Sequence, residues 1–246
     1  MRVKDVSFQV VGTTFLTFAI LCLGIPANAE RPSLGVQAGV VLTDFFVPGQ
    51  SSARICACFT IYMPATKRIT GGPTFEYRFR GFGGRWAAET GFLLKRVNYS
   101  FQSRFGFLPR FEATGNTAAN SWEIPLLIRT RIRRRLWEAS GGGGPALRIL
   151  GQFQQQFWET ESAFNTVILR RRTQSDPPEF RKRVYTGLAL AAGTAVRIGH
   201  VRVGPELRYT RWLANANESG FPPLQFRPNQ LEVLLGVRFQ LPGGAN

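Results

Sequence analysis

Eight stretches of this chain alternate apolar and polar residues at a period of two, a pattern that leaves few folds open besides β-sheet. In residues 33–45, Leu34, Val36, Ala38, Val40 and Leu42 share one face, with Gly35, Gln37, Gly39 and Thr43 on the other. Residues 73–80 set Phe75, Tyr77 and Phe79 against Glu76, Arg78 and Arg80. Residues 85–101 open with Trp86, Ala88, Thr90, Phe92 and Leu94 against Arg85, Glu89, Gly91 and Lys95, and lose a clear phase beyond Leu94. Residues 121–132 place Trp122, Ile124, Leu126, Ile128 and Ile132 opposite Glu123, Arg129 and Arg131. Residues 145–158 place Leu147, Ile149, Phe153 and Phe157 opposite Arg148, Gln152, Gln154 and Gln156. In residues 184–198, Leu188, Leu190, Val196 and Ile198 oppose Gly187, Ala189, Gly193 and Arg197. In residues 201–212, Val203, Leu207 and Tyr209 oppose Arg202, Glu206, Arg208 and Thr210. In residues 229–239, Leu231, Val233, Leu235, Val237 and Phe239 oppose Gln230, Glu232, Gly236 and Arg238.

Short and long connections alternate between these segments. Residues 81–84 are glycine-rich, Gly199-His200 suits a two-residue hairpin, and residues 133–144 read as an intermediate turn. Residues 46–70, 102–120, 159–183 and 213–228 read as long loops. The expected fold is all-β: an eight-stranded antiparallel up-and-down transmembrane β-barrel, with turns at one end and loops at the other. Strands of about 9–11 residues suffice to cross a bilayer when tilted. An even strand count puts both termini on the turn side.

The start of the chain supplies the context. Arg2 and Lys4 precede an apolar run from Val10 to Leu23, and Ala27-Asn28-Ala29 follows Pro26. This reads as a cleaved signal peptide over residues 1–29, leaving residues 30–246 as one exported domain of a Gram-negative cell envelope. Lysine and arginine number 31 against 15 aspartates and glutamates. Removing Arg2, Lys4 and Asp5 leaves 29 against 14, a net charge of +15. An exported chain does not meet nucleic acid, so the expected polyanions are phosphorylated lipids, sugar phosphates or an acidic partner. Cys56 and Cys58 are read as structural, and no metal or other cofactor is expected.

A spanning sheet cannot leave its edges in hydrocarbon, so it must close, and the polar stripe becomes the lumen. The expected luminal ion-pair network is Glu76, Arg78, Glu89, Glu123, Arg129, Arg131, Arg148, Arg197, Arg202, Glu206, Arg208, Glu232 and Arg238, with Arg80 and Lys95 on the same stripe. An eight-stranded interior is just wide enough for its side chains to fill, which favours a plug. A narrow anion-preferring channel is the rival reading, and a soluble periplasmic ligand-binding barrel is the third. Aromatics near strand ends (Phe79, Trp86, Trp122, Phe157, Trp158, Tyr185, Tyr209, Trp212, Phe239) are read as interfacial girdles. Arg170, Arg171, Arg172, Arg181, Lys182 and Arg183 are the loop residues read as anion-binding, with lipopolysaccharide phosphates or an acidic protein as the counterpart. The one histidine, His200, falls in a tight turn, and each luminal carboxylate has arginine neighbours, so no enzyme is expected.

The segments Trp122-Glu123-Ile124-Pro125-Leu126-Leu127-Ile128-Arg129 and Pro205-Glu206-Leu207-Arg208-Tyr209-Thr210-Arg211-Trp212 carry a resemblance to the eight-stranded outer-membrane barrels that include PorT-like and OmpA/OmpX-like proteins. The resemblance implies an outer-membrane location in contact with its lipid and insertion by the barrel-assembly machinery. The last strand, with Gly236, Val237, Arg238, Phe239 and Leu241, resembles the assembly signal, although residues 240–246 run past the terminal aromatic residue.

Overall fold

The structure, a computed structural model, describes residues 29–53, 58–65, 67–79, 85–105, 110–163, 166–175, 183–213 and 225–241. The leader up to residue 28 lies outside these, as do Cys56, Arg80, the 81–84 turn, Arg181 and Lys182.

Fifteen strands are formed: β1 (Ala29–Val41), β2 (Phe46–Val47), β3 (Gly49–Ala53), β4 (Cys58–Pro64), β5 (Lys67–Phe79), β6 (Trp86–Gly91), β7 (Leu93–Phe105), β8 (Arg110–Arg134), β9 (Trp137–Leu150), β10 (Gln154–Ala163), β11 (Thr166–Ser175), β12 (Val184–Ile198), β13 (Val201–Trp212), β14 (Gln225–Phe226) and β15 (Asn229–Gln240). Following the hydrogen-bonded neighbours closes a ring. β1 pairs with β5, β5 with β6 and β7, both of these with β8, then β8 with β9, β9 with β12, β12 with β13, and β13 with β15. β15 returns to β1 in antiparallel register, Val36 facing Val237. Taking β6 and β7 as one stave interrupted at Phe92, the barrel has eight staves, every pairing antiparallel.

Seven of the eight predicted segments each fall on one stave, whereas residues 145–158 divide between the end of β9 and the start of β10, and several boundaries move. β1 stops at Val41, and Phe45 and Phe46 turn into the barrel mouth, both buried. Residues 133–144 are mostly strand, because the chain reverses within Arg135-Leu136 and β9 is already paired at Trp137. Arg135 takes the left-handed conformation (φ 39°) such a tight reversal demands, without glycine to ease it. Gly142 and Gly144 belong to the strand for a steric reason. A Cβ on either would sit 2.2 Å from the Ile128 carbonyl oxygen or 2.0 Å from that of Leu126, closer than any side chain permits.

The long loops are also largely strand. β8 runs for 25 residues, roughly 80 Å at about 3.4 Å per residue, far more than a bilayer crossing needs. Its first half pairs with the whole of β7 on one side and with β10 on the other. β4 and β3 extend the first flank, and β11 the second. The result is a six-stranded apron, β3-β4-β7-β8-β10-β11, standing on one side of the barrel mouth. Arg170, Arg171 and Arg172 are therefore strand residues on the apron's β11 edge, all exposed. Cationic side chains on an edge strand also oppose edge-to-edge association.

Candidate functional site

Alternation along the staves sends one stripe of side chains inward, and the inward stripe is ionic over the lower part of the barrel. Nearest the turn end, Glu76 from β5 accepts from Arg78 Nε at 2.9 Å and from Arg202 Nη2 at 3.2 Å, and is paired with Arg131. Arg238 Nη1 lies 3.7 Å from the same carboxylate. Beside it, Glu138 is bridged by Arg131 at 2.8 Å, Arg133 at 3.2 Å and Arg202 at 3.4 Å. One layer higher, Glu89 meets Arg129 at 2.8 Å and Arg238 at 2.9 Å, while Glu206 meets Arg129 at 2.6 Å and Arg208 at 2.7 Å. Gln37 links this layer, donating to Glu206 and accepting from Arg208 at 3.0 Å. Above that, Glu123 takes Arg148 at 2.6 Å and shares Lys95 with Glu232.

These pairs bind staves that are not neighbours: Glu76 on β5 reaches Arg202 on β13, and Glu89 on β6 reaches Arg238 on β15. Every carboxylate named here is almost fully buried, as are the cations other than the rim residue Arg133 and the slightly exposed Arg238. Burying so many charges is tolerable only because each carboxylate has cationic donors on more than one side or shares one. Inward glycines make the room. Gly35, Gly39, Gly193 and Gly204 face the lumen where a Cβ would strike backbone atoms of the adjoining strand at 1.9–2.7 Å.

Above the ions the lumen turns aromatic. Phe45, Phe46, Tyr62, Tyr99, Phe153, Tyr185 and Trp212 form a buried cluster against which Phe226 packs. Arg148 joins the two storeys, its guanidinium 4.2 Å from the Phe45 ring and 3.8 Å from the Trp212 ring. Trp212 Nε1 donates to Gln230 at 3.1 Å. Replacing Trp212 with Phe keeps a ring over Arg148 and removes that donor. The expected loss in urea-unfolding free energy is about 1 kcal/mol.

The positions expected from sequence divide clearly. Glu76, Arg78, Glu89, Glu123, Arg129, Arg131, Arg148, Arg202, Glu206, Arg208, Glu232 and Arg238 converge in the lumen with Lys95. Arg197 does not: it is the penultimate residue of β12, exposed at the barrel rim, and its Nε donates to the Gly199 carbonyl at 3.1 Å, bracing the turn. Glu138, Gln37, Ser33 and Gln230 belong to the network and were not foreseen in it. Tyr185 and Trp212 are not girdle residues but point inward into the aromatic cluster. Phe153, expected outside, is also buried there. Gly151, Gln152 and Phe153 leave the strand and shift its phase by one residue, so Gln152, Gln154 and Gln156 face outward.

On the apron, Arg172 pairs with Glu159 at 3.2 Å and Arg171 lies 5.7 Å from the Trp158 ring on the opposite face. Arg183 is exposed at the start of β12, its carbonyl accepting from the Leu150 amide. Among the described residues no three His, Cys, Asp or Glu side chains come together as metal ligands would. Carboxylates clamped by several cations have little freedom to move, which suits cross-bracing rather than proton transfer.

No protein-family profile and no curated protein matches the chain. Solved structures similar to it include Neisserial surface protein A at 10% identity and a TM-score of 0.33, covering 87% of this chain and 99% of that one. The N-terminal β-barrel domain of Pseudomonas aeruginosa OprF is similar at 10% identity and 0.31, over 87% and 99%. Ail, the attachment invasion locus protein of Yersinia pestis, in complex with the heparin analogue sucrose octasulfate, is similar at 11% and 0.32, over 86% and 99%. The closed architecture of this chain stands on its own strand pairing.

Proposed function

We propose that this chain is an exported outer-membrane barrel whose lumen is sealed and whose apron is displayed at the cell surface, where it contacts other molecules. One observation carries the reading. Among the described residues, outward side chains on the staves are uncharged between two rims, Arg134 at the turn end and Lys67, Arg96 and Arg211 at the mouth. Between them lies a belt that includes Leu34, Val36, Val40, Phe75, Ile128, Leu188, Leu190, Leu207, Val233 and Leu235, all exposed. From Leu188 to Ile198 the belt covers ten residue steps, roughly 34 Å of strand and about 26 Å along the axis at a tilt of about 40°. That height matches hydrocarbon. An exposed apolar surface so continuous is costly in water and ordinary in lipid.

The ion network and the aromatic cluster together support a plug over a channel. The apron's arginines are its anion-facing element, with phosphates of lipopolysaccharide as the counterpart. In planar bilayers the purified protein is expected to give no steady conductance steps, and on intact cells protease is expected to cut only within residues 42–66, 102–120, 151–183 and 213–228. Stable single-channel currents would overturn the plug, and cleavage at the Arg135 or Gly199 turns would overturn the orientation. Changing Arg170, Arg171, Arg172, Arg181, Lys182 and Arg183 to Gln is expected to weaken binding to vesicles containing lipid A. Unchanged binding would remove the anion-facing role and leave the barrel reading intact.

A further inference from the structure

The lumen holds more positive than negative charge. Eight cationic side chains (Arg78, Lys95, Arg129, Arg131, Arg148, Arg202, Arg208 and Arg238) face six carboxylates (Glu76, Glu89, Glu123, Glu138, Glu206 and Glu232) among the described residues. Two unit charges are thus left over in a section closed by backbone, where little water is present to screen them.

Arg78, Arg129, Arg131 and Arg208 each carry a buried guanidinium nitrogen without a hydrogen-bond partner, and two further such arginines share a cavity. The Nε–H groups of Arg202 and Arg238 are buried and donate to nothing, although the Nη groups of both are engaged. Both residues line one cavity of about 20 Å³ near the turn end, with Ser140 and Gln37 also in its wall. That is room for a single water-sized body. Gly193, Gly204 and Gly236 line it, and at Gly236 a Cβ would meet only ordinary contacts. Glu138 and Glu206 share the wall, but each is already spent on three arginines. The cavity is therefore a pocket of orphan donors inside a positive field.

We propose that this cavity is a binding site for one small monovalent anion, chloride in its natural setting, held by the Nε–H groups of Arg202 and Arg238. A water molecule fits the same volume, but it cannot offset the surplus charge. Bound chloride would then be a structural component of the barrel interior, fastening β13 to β15 at the level where Arg238 bridges Glu76, Glu89 and Glu206.

The test uses the full folded barrel in detergent micelles, unfolded by urea at constant ionic strength while chloride replaces gluconate. The urea midpoint is expected to rise with chloride and to saturate, as binding to the folded state alone requires. Crystals grown in bromide are expected to show an anomalous scattering peak between Arg202 and Arg238. Gly236→Ala places a methyl group in the cavity with its nearest neighbour, the Gln37 Cγ, at 3.4 Å, an ordinary contact. This variant is expected to fold, as judged by a boiling-dependent gel shift, and to lose the chloride response. Arg238→Gln removes a donor and a charge and is expected to lose the response as well. A wild-type midpoint indifferent to chloride, an equal response in wild type and Gly236→Ala, or the absence of a bromide peak would each overturn the proposal in favour of hydration alone.

Discussion

Glu76→Gln is expected to lower the urea-unfolding free energy of the barrel by roughly 3–5 kcal/mol, the cost of breaking a buried ion pair from one side. The substitution keeps the shape and removes the charge. It leaves Arg78, Arg131, Arg202 and Arg238 facing a neutral amide in a section where Glu76 is 1% exposed. Glu138, Glu89 and Glu206 remain nearby to absorb that charge, and all three already serve other cations. The control is Arg133→Gln. Arg133 pairs with Glu138 at 3.2 Å, but its side chain is 44% exposed at the rim, so screening by water should hold its loss to about 0.5 kcal/mol or less. Equal effects in the two variants would mean that the network stands in bulk water. The lumen would then be an aqueous pore rather than a braced plug.

The same contrast explains what the sequence could and could not announce. Along β1 and β15 the chemical period and the geometric period coincide, so Leu34, Val36 and Val40 read as outward and Gln37 as inward from the letters alone. Along β7 the geometry continues but the chemistry inverts: Val97 and Tyr99 point inward while Arg96 and Asn98 point outward. The phase that fades after Leu94 therefore marks where the stave leaves the belt and its interior changes from ions to aromatics. Tyr185 and Trp212 lie at that same level, which is why aromatic residues at strand ends look like girdles in sequence and turn out to be lid. Glu138 was hidden for another reason. Its hairpin turns on Arg135-Leu136, with none of the Asn-Gly or Gly-X letters that signal such a reversal, whereas the nearby Gly141–Gly144 run imitates a loop. Gly142 and Gly144 answer to a close approach between backbones, a long-range demand that a local pattern does not encode. The apron was concealed by length. Nothing in residues 102–120 or 159–183 separates a loop from a hairpin of strands that pair above the belt.

A single apolar-to-arginine change made at two places distinguishes lipid from water around this barrel. Leu190 on β12 and Leu169 on β11 are both exposed, at 59% and 69%, and neither fills a core. In water, arginine at either position would be nearly neutral, because a surface leucine surrenders little on replacement. In the proposed orientation Leu190 lies within the belt and Leu169 stands on the apron beyond it. Leu190→Arg is then expected to cost roughly 2–4 kcal/mol when the protein is unfolded from lipid vesicles, the range for a cation near the middle of a barrel's lipid face. Leu169→Arg is expected to shift it by less than about 0.5 kcal/mol. The gap should close when both variants are compared near the mouth, for instance with Leu42→Arg, since the cost falls to about 0–1 kcal/mol towards the interface. Two small and equal effects would place water around the whole molecule. They would return the chain to the reading of a soluble periplasmic barrel, in which the belt would have to be covered by something other than lipid. A large effect at Leu190 alone requires a solvent that changes between the two leucines. In the proposed reading, the outer membrane supplies that boundary.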